Sequence, residues 1–463
     1  MSEKIVSPGV FTKEIDQSFI PAALGDIGAA IVGPTVKGPV LTPTVVSSYS
    51  EFTTIFGEII ESGSDKYQYL TSHTAQEYLR QGGPCTIVRV ADADATRASA
   101  LVRSGSYSPA DGQHVDTEAT TLFELEVLGD GPQFNNMGAS ASAAVGSDHI
   151  LVSRANNAAS NNQFGTGSFG GRNDNYRWEV SQRNLEKGTF TLLIRAGNDT
   201  IKRKQVLETH ANLSFDPEST DYILKKIGNQ TNTITVEQGV AFLSPTGDYP
   251  NRSNFVRVKT FPDSVKTPNY LDENGVVNEL YANSSSFFPT VGSGSFGGAF
   301  GEYSATYSAS SGQTAGGFGA EIVHPFGFYD NIAAGNSQGI KMDDSAAAVG
   351  SSTVGGGYRT ALSLLSNKDE YNFNLLFLPG VVDGLSDHSA IITNAVDLCE
   401  TRTDCFFVLD ASSKTDSVTA VKTVAKGRNS SYAATYYPWV QIQDASLGSA
   451  RWVPPSTVLA GVF

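Results

Sequence analysis

Cysteine is nearly absent from this chain of 463 residues: only Cys85, Cys399 and Cys405 occur. They form no CxxC pair and no Cys/His spacing of the kind that holds zinc, so neither a disulfide framework nor a zinc module is expected. An odd, sparse count reads instead as reduced, partly buried thiols of a protein made in a cytoplasm. Histidine is equally scarce, with single residues at positions 73, 114, 149, 210, 324 and 388. Long apolar runs are missing too. The longest, such as Asn374-Leu375-Leu376-Phe377-Leu378, fall far short of the ~20 residues a membrane span requires. Lys4 is followed within a few residues by Pro8 and Gly9 rather than by an apolar stretch, so no secretory leader is expected. Positive charge is in deficit: Lys and Arg total 32 against 47 Asp and Glu, a net charge of −15. That balance excludes a general nucleic-acid coat, which needs basic faces. It fits a soluble protein held apart from nucleic acid and membranes by repulsion.

What the chain does have is glycine (46 residues), with abundant Asn and Ser beside Thr, Val, Phe and Tyr. This is the composition of a β-rich protein with long loops. Its length suits roughly two to four domains, at ~100–200 residues each. Near the start, Ser7 to Asp16 reads SPGVFTKEID. From Val10 onward it alternates, with Val10, Thr12 and Glu14 on one face and Phe11, Lys13 and Ile15 on the other, the period of an extended strand. No hairpin turn follows. The next punctuation is Pro21 and an Ala/Gly-rich run, so this strand has no partner near it in sequence.

From Ala23 the chain reads as a compact α/β unit. Ala29 to Gly33 is a buried strand, Glu51 to Gly57 a short helix closed by Gly57, and Thr86 to Val90 another strand. Asp65 to Gln81 reads as a helix with Tyr67, Leu70, Thr74 and Tyr78 on one stripe, ending at Gly82-Gly83-Pro84. Residues 96–190 are rich in Ala, Ser, Gly and Asn, with one clear strand at Thr121 to Val127; an inserted β domain is expected. Alternation is strong from Tyr176 to about residue 260, as in Tyr176 to Val180 and Thr189 to Arg195, and a loop-dominated stretch follows. After Asn367 strands and helices alternate again: a strand at Asn374–Leu378, then a helix capped by Ser386 or Asp387. That helix carries Ile391, Ala395 and Leu398 on one row and Ile392, Val396 and Cys399 on the next. A strand at Cys405–Leu409, a helix at Val418–Lys426 and a strand at Ala433–Tyr437 complete the pattern, which implies parallel pairing. The expected fold class is α+β multidomain, with an α/β core built from N- and C-terminal parts and two β-rich domains inserted between them. The expected bounds are an arm at 1–22, a core at 23–95 plus 341–463, one inserted domain at 96–189 and another at 190–340.

No motif carries chemistry. Gly165-x-Gly167-x-x-Gly170 and Gly292-x-Gly294-x-x-Gly297 match a phosphate-cradle spacing. Neither follows a clear strand, opens a helix or precedes Lys-Ser/Thr, and both repeat Gly-Ser-Phe-Gly-Gly inside low-complexity loops. Pro379-Gly380-Val381-Val382-Asp383-Gly384 is the nearest strand-to-helix turn and has no phosphate-binding pattern. Asp92 with Asp94, and Asp343 with Asp344, lack the further oxygen ligands a hard cation needs and read as solvated junction loops. A nucleophile would need Cys399 or Cys405 with His388 and Asp387 or Asp404. His388 and Cys399 lie about three turns apart on one helix and cannot meet. Lys202-Arg203-Lys204 reads as a solvated strand end or a subunit contact. No catalytic, cofactor-binding or metal residue is therefore assigned, and the chain is not read as an enzyme.

Several stretches taken in order do carry a resemblance: SPGV with Glu14, GPTVKGPV (Gly33 to Val40) followed by Phe52 and Phe56-Gly57, and GGPCTIVRVAD (Gly82 to Asp92). They continue with KGTFTLLIRAGNDTIKRK (Lys187 to Lys204), NLSFDPESTDYI (Asn212 to Ile223), LCETRTDCFFVLD (Leu398 to Asp410) and WVPPSTVLAGVF (Trp452 to Phe463). Each is weak alone; their order and spacing over almost the whole chain are specific. The chain resembles the tail sheath proteins of contractile-tailed bacteriophages, of the longer T-even-like myovirus type. The resemblance implies a structural subunit that stacks as hexameric rings around a tail tube. Contraction then drives the tube through the host envelope without a nucleotide or any other cofactor. It implies as partners further copies of itself, the tail tube protein, and baseplate and tail terminator proteins, with no nucleic acid and no membrane insertion. The location implied is the virion tail, after synthesis in the host cytoplasm. The core would lie towards the tube, residues 190–340 around it and 96–189 outermost. The resemblance also gives the lone strand a partner: the arm adds to a sheet in a neighbouring subunit, by main-chain hydrogen bonds. Val6, Val10, Phe11, Thr12, Lys13, Glu14 and Ile15 are then its interface residues. An unpaired period-two strand on a leader is what such a connector must look like in any case. One departure stands out: in the family a further C-terminal region, holding the arm-receiving sheet and most of the tube-facing surface, follows the segment that here ends at Phe463. A shortened form is expected, or a variant whose receiving sheet lies elsewhere. The alternatives are the sheath of a bacterial contractile injection machine, which tends to lack large outer insertions; a surface adhesin, which should show a secretion signal; and an α/β nucleotide-binding enzyme.

Overall fold

The structure, a computed structural model, describes residues 28–62, 65–81, 83–91, 95–103, 107–108, 113–114, 121–131, 134, 175–184, 187–199, 203–261, 289, 291–297, 299, 332–338, 340–342, 348–350, 354–444 and 448–463. Strand β1 (Gly28–Gly33) is buried along its whole length, as a short run of Ala, Ile and Val between two layers must be. After β2 (Thr44–Val46) comes helix α1 (Tyr49–Phe56). The Ser48 hydroxyl accepts from Glu51 N–H, and the Glu51 carboxylate accepts in turn from Ser47 N–H. This reciprocal cap fixes the helix start. Gly57 ends it at φ 73, where a side chain would press within 2.8 Å of Val36. A tight hairpin of β3 (Ile60–Ser62) and β4 (Asp65–Tyr67) precedes helix α2 (Leu70–Gln81). The helix expected from Asp65 therefore begins at Leu70, because the preceding residues pair as a strand. Strand β5 (Cys85–Arg89) lies parallel to β1.

The middle of the chain builds a second body. Its strands are β6 (Arg97–Arg103), the small pair β7 (Tyr107–Ser108) and β8 (Gln113–His114), β9 (Thr121–Asp130), β10 (Tyr176–Asn184), β11 (Thr189–Ala196) and β12 (Val206–Leu213). Helix α3 (Ile223–Ile227), hairpin β13 (Thr231–Glu237) with β14 (Val240–Thr246), β15 (Val256–Thr260) and β16 (Gly292–Ser295) follow. Two antiparallel sheets, β15-β9-β6 and β12-β11-β10-β16, face one core. Phe123, Leu125, Val127, Trp178, Leu192, Ile194 and Val256 point into it, and Phe123, Phe190 and Phe215 stack within 6.0 Å of one another. β10 and β11 pair from Tyr176↔Ala196 to Asn184↔Thr189. The expected boundary at 189/190 falls inside the start of β11, and strands on both sides of it share a core.

Short strands β17 (Asn336–Ser337) and β18 (Ile340–Lys341) lead back to the first body through helix α4 (Val354–Leu364) and strand β19 (Phe373–Val382). Helix α5 (Ser389–Arg402), strand β20 (Phe406–Asp410), helix α6 (Val418–Gly427) and strand β21 (Ala433–Thr435) continue it. A hairpin of β22 (Val440–Asp444) and β23 (Ser449–Val453), then helix α7 (Pro455–Leu459), end the chain. The main sheet has the order β2-β5-β1-β19-β20-β21, parallel from β5 to β21 with β2 antiparallel at one edge. N- and C-terminal segments thus share one sheet. Tyr358, Leu362, Ile391, Ile392 and Ala395 of α4 and α5 cover one face, and Phe52, Phe56, Ala75, Tyr78 and Ala460 cover the other. His388, rather than Ser386 or Asp387, stands at the N-cap of α5. Its buried ring is pinned at both nitrogens: Val382 N–H donates to Nδ1 and the Ala333 carbonyl lies 3.1 Å from Nε2. That anchoring sets the helix start more firmly than an exposed hydroxyl could.

Candidate functional site

Open parallel sheets bind ligands beyond the carboxyl ends of the strands, where the winding reverses. Here that point lies between β1 and β19, beside the N-terminus of α2. The chain fills the crevice itself. Gln338, buried with φ 54, places Oε1 2.7 Å from Leu70 N–H, where the helix end favours an anion or acceptor. Ser337 Oγ donates to the Gly380 carbonyl at 2.7 Å, and Gly380 (φ 84) has no room for a side chain: its Cβ would meet Gln338 Nε2 at 2.7 Å. At the end of β1, a side chain on Gly33 would come within 2.4 Å of Thr71 Oγ1. At this switch point the N-terminus of α2 is met by a carboxamide of the same chain.

The residues considered for catalysis do not meet. His388 is engaged at the start of α5, while Cys399 and Cys405 sit 3.3 Å apart at its far end. Asp404 accepts from the Arg402 guanidinium at 3.0 Å. Asp383, in the Pro379–Gly384 turn, is clamped by Nε and Nη2 of Arg428 at 2.9 and 2.5 Å. Among the described residues, no group of three or more His, Cys, Asp and Glu side chains is placed to hold a metal ion. Asp92, Asp94, Asp343, Asp344, the Gly165–Gly170 motif and Lys202 lie outside the described residues. Gly294 of the second glycine motif is in strand β16, flat against the Trp178 ring, so its lack of a side chain serves packing. Lys204 places Nζ 2.5 Å from Glu179 Oε1, as the outer member of a charge cluster that includes buried Arg177, Arg195 and Asp199. The sequence signal for that cluster was present, in charged residues alternating with Trp178 and Ile194 along strands that are otherwise apolar.

One buried carboxylate has a measurable consequence. Asp410, at the end of β20, accepts from Ser456 N–H (3.1 Å) and Ser456 O–H (2.6 Å), tying α7 to the sheet. Burial pushes its pKa up to about 7, against those two hydrogen bonds. The folded state therefore holds this proton more tightly than the unfolded chain, whose Asp titrates near ~3.9. The stabilising contribution is full below about pH 4 and is lost as pH rises through about 7. Asp410→Asn is expected to flatten the decline in stability across that interval, read from denaturation midpoints at a series of pH values.

The described surface carries several exposed apolar side chains. Tyr436 and Tyr437, which follow the short edge strand β21, are exposed, as are Trp452 and Phe463. The Tyr436 and Phe463 rings are 6.2 Å apart, and Lys414 Nζ lies 5.1 Å from the Trp452 ring. On the second body, Val206 and Leu207 are exposed on β12, the outer strand of its sheet. A cleft of about 630 Å³ between α1 and the second body is walled by Phe134, Tyr176 and Phe255. Among the described residues no helix is long and apolar enough to cross a membrane. The arm residues Val6, Val10, Phe11, Thr12, Lys13, Glu14 and Ile15 lie outside the described residues.

No protein-family model and no curated protein matches the chain. Among solved structures it is similar to a sheath tail protein from Listeria innocua, with 8% identity and a TM-score of 0.38, over 95% of this chain and 56% of that one. It is also similar to a sheath tail protein from Desulfitobacterium hafniense, with 8% identity and a TM-score of 0.30, over 98% of this chain and 61% of that one. The chain thus spans less than two thirds of the length of either.

Proposed function

We propose that the chain is a structural subunit of a phage contractile tail sheath, assembling as stacked hexameric rings around a tail tube and contracting to drive the tube through the host envelope. The observation that carries this reading is the ordered run of sheath-like segments from Ser7 to Phe463. Two physical features support it. The crevice where an α/β sheet would take a nucleotide is closed by Gln338, as suits a protein whose energy is stored in subunit contacts. Edge strands and exposed aromatics supply surface for those contacts. In this reading the α/β core faces the tube and the β-rich body lies further out. Contraction is a switch between two packings of the same rings. The partners are copies of this chain, the tail tube protein, and baseplate and terminator proteins, in the virion tail. The arm docks as an added strand through Val6 and Val10 to Ile15.

Strand addition depends on main-chain hydrogen bonds, so proline and alanine at one arm position should differ. In whichever length of the protein forms particles, Thr12→Pro is expected to cut the sedimenting fraction at least roughly tenfold, a loss of ~1.4 kcal/mol per contact. Thr12→Ala should assemble like the parent. Equal assembly of the two variants would remove the arm from the mechanism.

A further inference from the structure

We infer that Cys399 and Cys405 form a peroxide-responsive dithiol, a modification site that closes to an intrachain disulfide where α5 meets β20. The two sulfurs are free thiols 3.3 Å apart. A disulfide bond of ~2.05 Å asks them to approach by only about a further 1.2 Å. Cys399 occupies the last turn of α5, and Cys405 directly precedes β20. The turn between them, Thr403-Asp404, is exposed, with Thr403 in the left-handed region at φ 62. Cys405 follows this turn directly and keeps 4% of its surface exposed, whereas Cys399 keeps none.

The pair is chemically asymmetric. The Cys405 thiol is drawn below its ordinary value by its hydrogen bond with Cys399 and, against burial, by the Arg402 charge. The Cys399 thiol is pushed up, by the same hydrogen bond and then by burial. Arg402 is itself locked, donating to the Leu365 and Tyr371 carbonyls and to Asp404, so its charge stays beside the sulfurs. Cys405, next to the exposed turn and the less buried of the two, is assigned as the nucleophile, and Cys399 as its resolving partner. The third thiol, Cys85, is an internal control: among the described residues it is paired with no other cysteine, and burial pushes it up to about 12.

The chemistry balances with hydrogen peroxide as oxidant. The Cys405 thiolate attacks one peroxide oxygen; the O–O bond breaks, hydroxide leaves and is protonated to water, and Cys405 becomes a sulfenic acid. Cys399 then loses its proton, its sulfur attacks the Cys405 sulfur, and the S–O bond breaks to release a second water. Two thiols are oxidised and one peroxide is reduced to two waters.

The test treats the folded full chain with hydrogen peroxide at neutral pH and maps it with trypsin under non-reducing conditions. Trypsin cuts after Arg402, so Asp369–Arg402 and Thr403–Lys414 travel together only if the disulfide has formed. The expected result is that joined species, about 2 Da lighter than the sum of its parts, released by dithiothreitol and formed at least roughly tenfold faster than any modification of Cys85. In the Cys399→Ser variant, Cys405 should instead be trapped by dimedone as the sulfenic acid. The proposal is overturned if the parent chain keeps both thiols while Cys85 or methionine oxidises, or if Cys405 runs to the sulfonic acid with no joined peptide. It is equally overturned if joining is as fast in urea as in the folded chain.

Discussion

Asp199→Ala is expected to lower the free energy of unfolding by ~3–5 kcal/mol, the scale for removing one partner from a buried ion pair. Asp199 Oδ2 lies 2.6 and 2.5 Å from Nε and Nη2 of Arg195, and Oδ1 lies 3.8 Å from Nε of Arg177. Its Oδ2 also accepts from Gln205 N–H at 3.1 Å, so one carboxylate joins the end of β11 to the start of β12. Arg177, Arg195 and Asp199 are all essentially inaccessible to water. With Asp199 removed, Arg195 would share Glu179 with Lys204, and two buried guanidiniums would lie close together with less opposing charge. Burial already draws the Arg177 guanidinium down to about 10, opposed by Asp199 and reinforced by Arg195. Lys204→Ala removes only the half-exposed outer member of the cluster and should cost no more than ~1 kcal/mol. Urea unfolding followed by Trp178 fluorescence, with Trp439 and Trp452 replaced by phenylalanine, reads both variants in this body. Equal small effects would mean that water reaches the cluster.

The second large effect is expected at Trp178 itself, where alanine should cost ~3–5 kcal/mol, read from far-ultraviolet circular dichroism. The indole is fully buried in the core shared by the two antiparallel sheets, and Gly294 of β16 lies against it in register. A Cβ on Gly294 would come within 2.7–2.8 Å of three indole atoms, so Gly294→Ala should cost ~1–3 kcal/mol as overpacking. In a Trp178→Phe background, whose smaller ring leaves space, the same change at Gly294 should cost clearly less. Additive costs would mean that the glycine serves the backbone alone.

This pair shows where sequence reading reached its limit. Gly292 to Gly297 has the composition of a loop, and nothing local marks it as a strand; its neighbour β10 imposes the pairing and Trp178 dictates the missing side chain. The α/β core was legible because each element carries its own signal. Ala29 to Gly33 and Asn374 to Leu378 are apolar runs, and Ile391 to Cys399 repeat at helical spacing along a buried face. Parallel pairing of N- and C-terminal halves followed from the alternation of strands and helices. The start of α2 was not legible, because it rests on a strand pair and on a side chain 268 positions away. For the same reason no local pattern announces the Gln338 plug. The cap of α5 was misplaced by two residues at most: the ring of His388, held from both sides, outweighs the generic preference for Ser386 or Asp387. Strand β22 does alternate, as Val440-Gln441-Ile442-Gln443, but over too few residues to stand out; buried Asp444 lies 3.5 Å from His73 of α2 and 3.6 Å from Arg451 across the hairpin.

The measurement that tests the central proposal most directly is electron microscopy, with sizing, of this chain beside a version extended past Phe463, each with and without residues 1–22. The account predicts regular tubes from the extended form, a monomer from the 463-residue chain, and loss of the extended form's tubes once the arm is removed. Tubes from the 463-residue chain alone would place the receiving strands within it. Absence of any assembly in all four, even with tube protein present, would contradict the sheath reading itself.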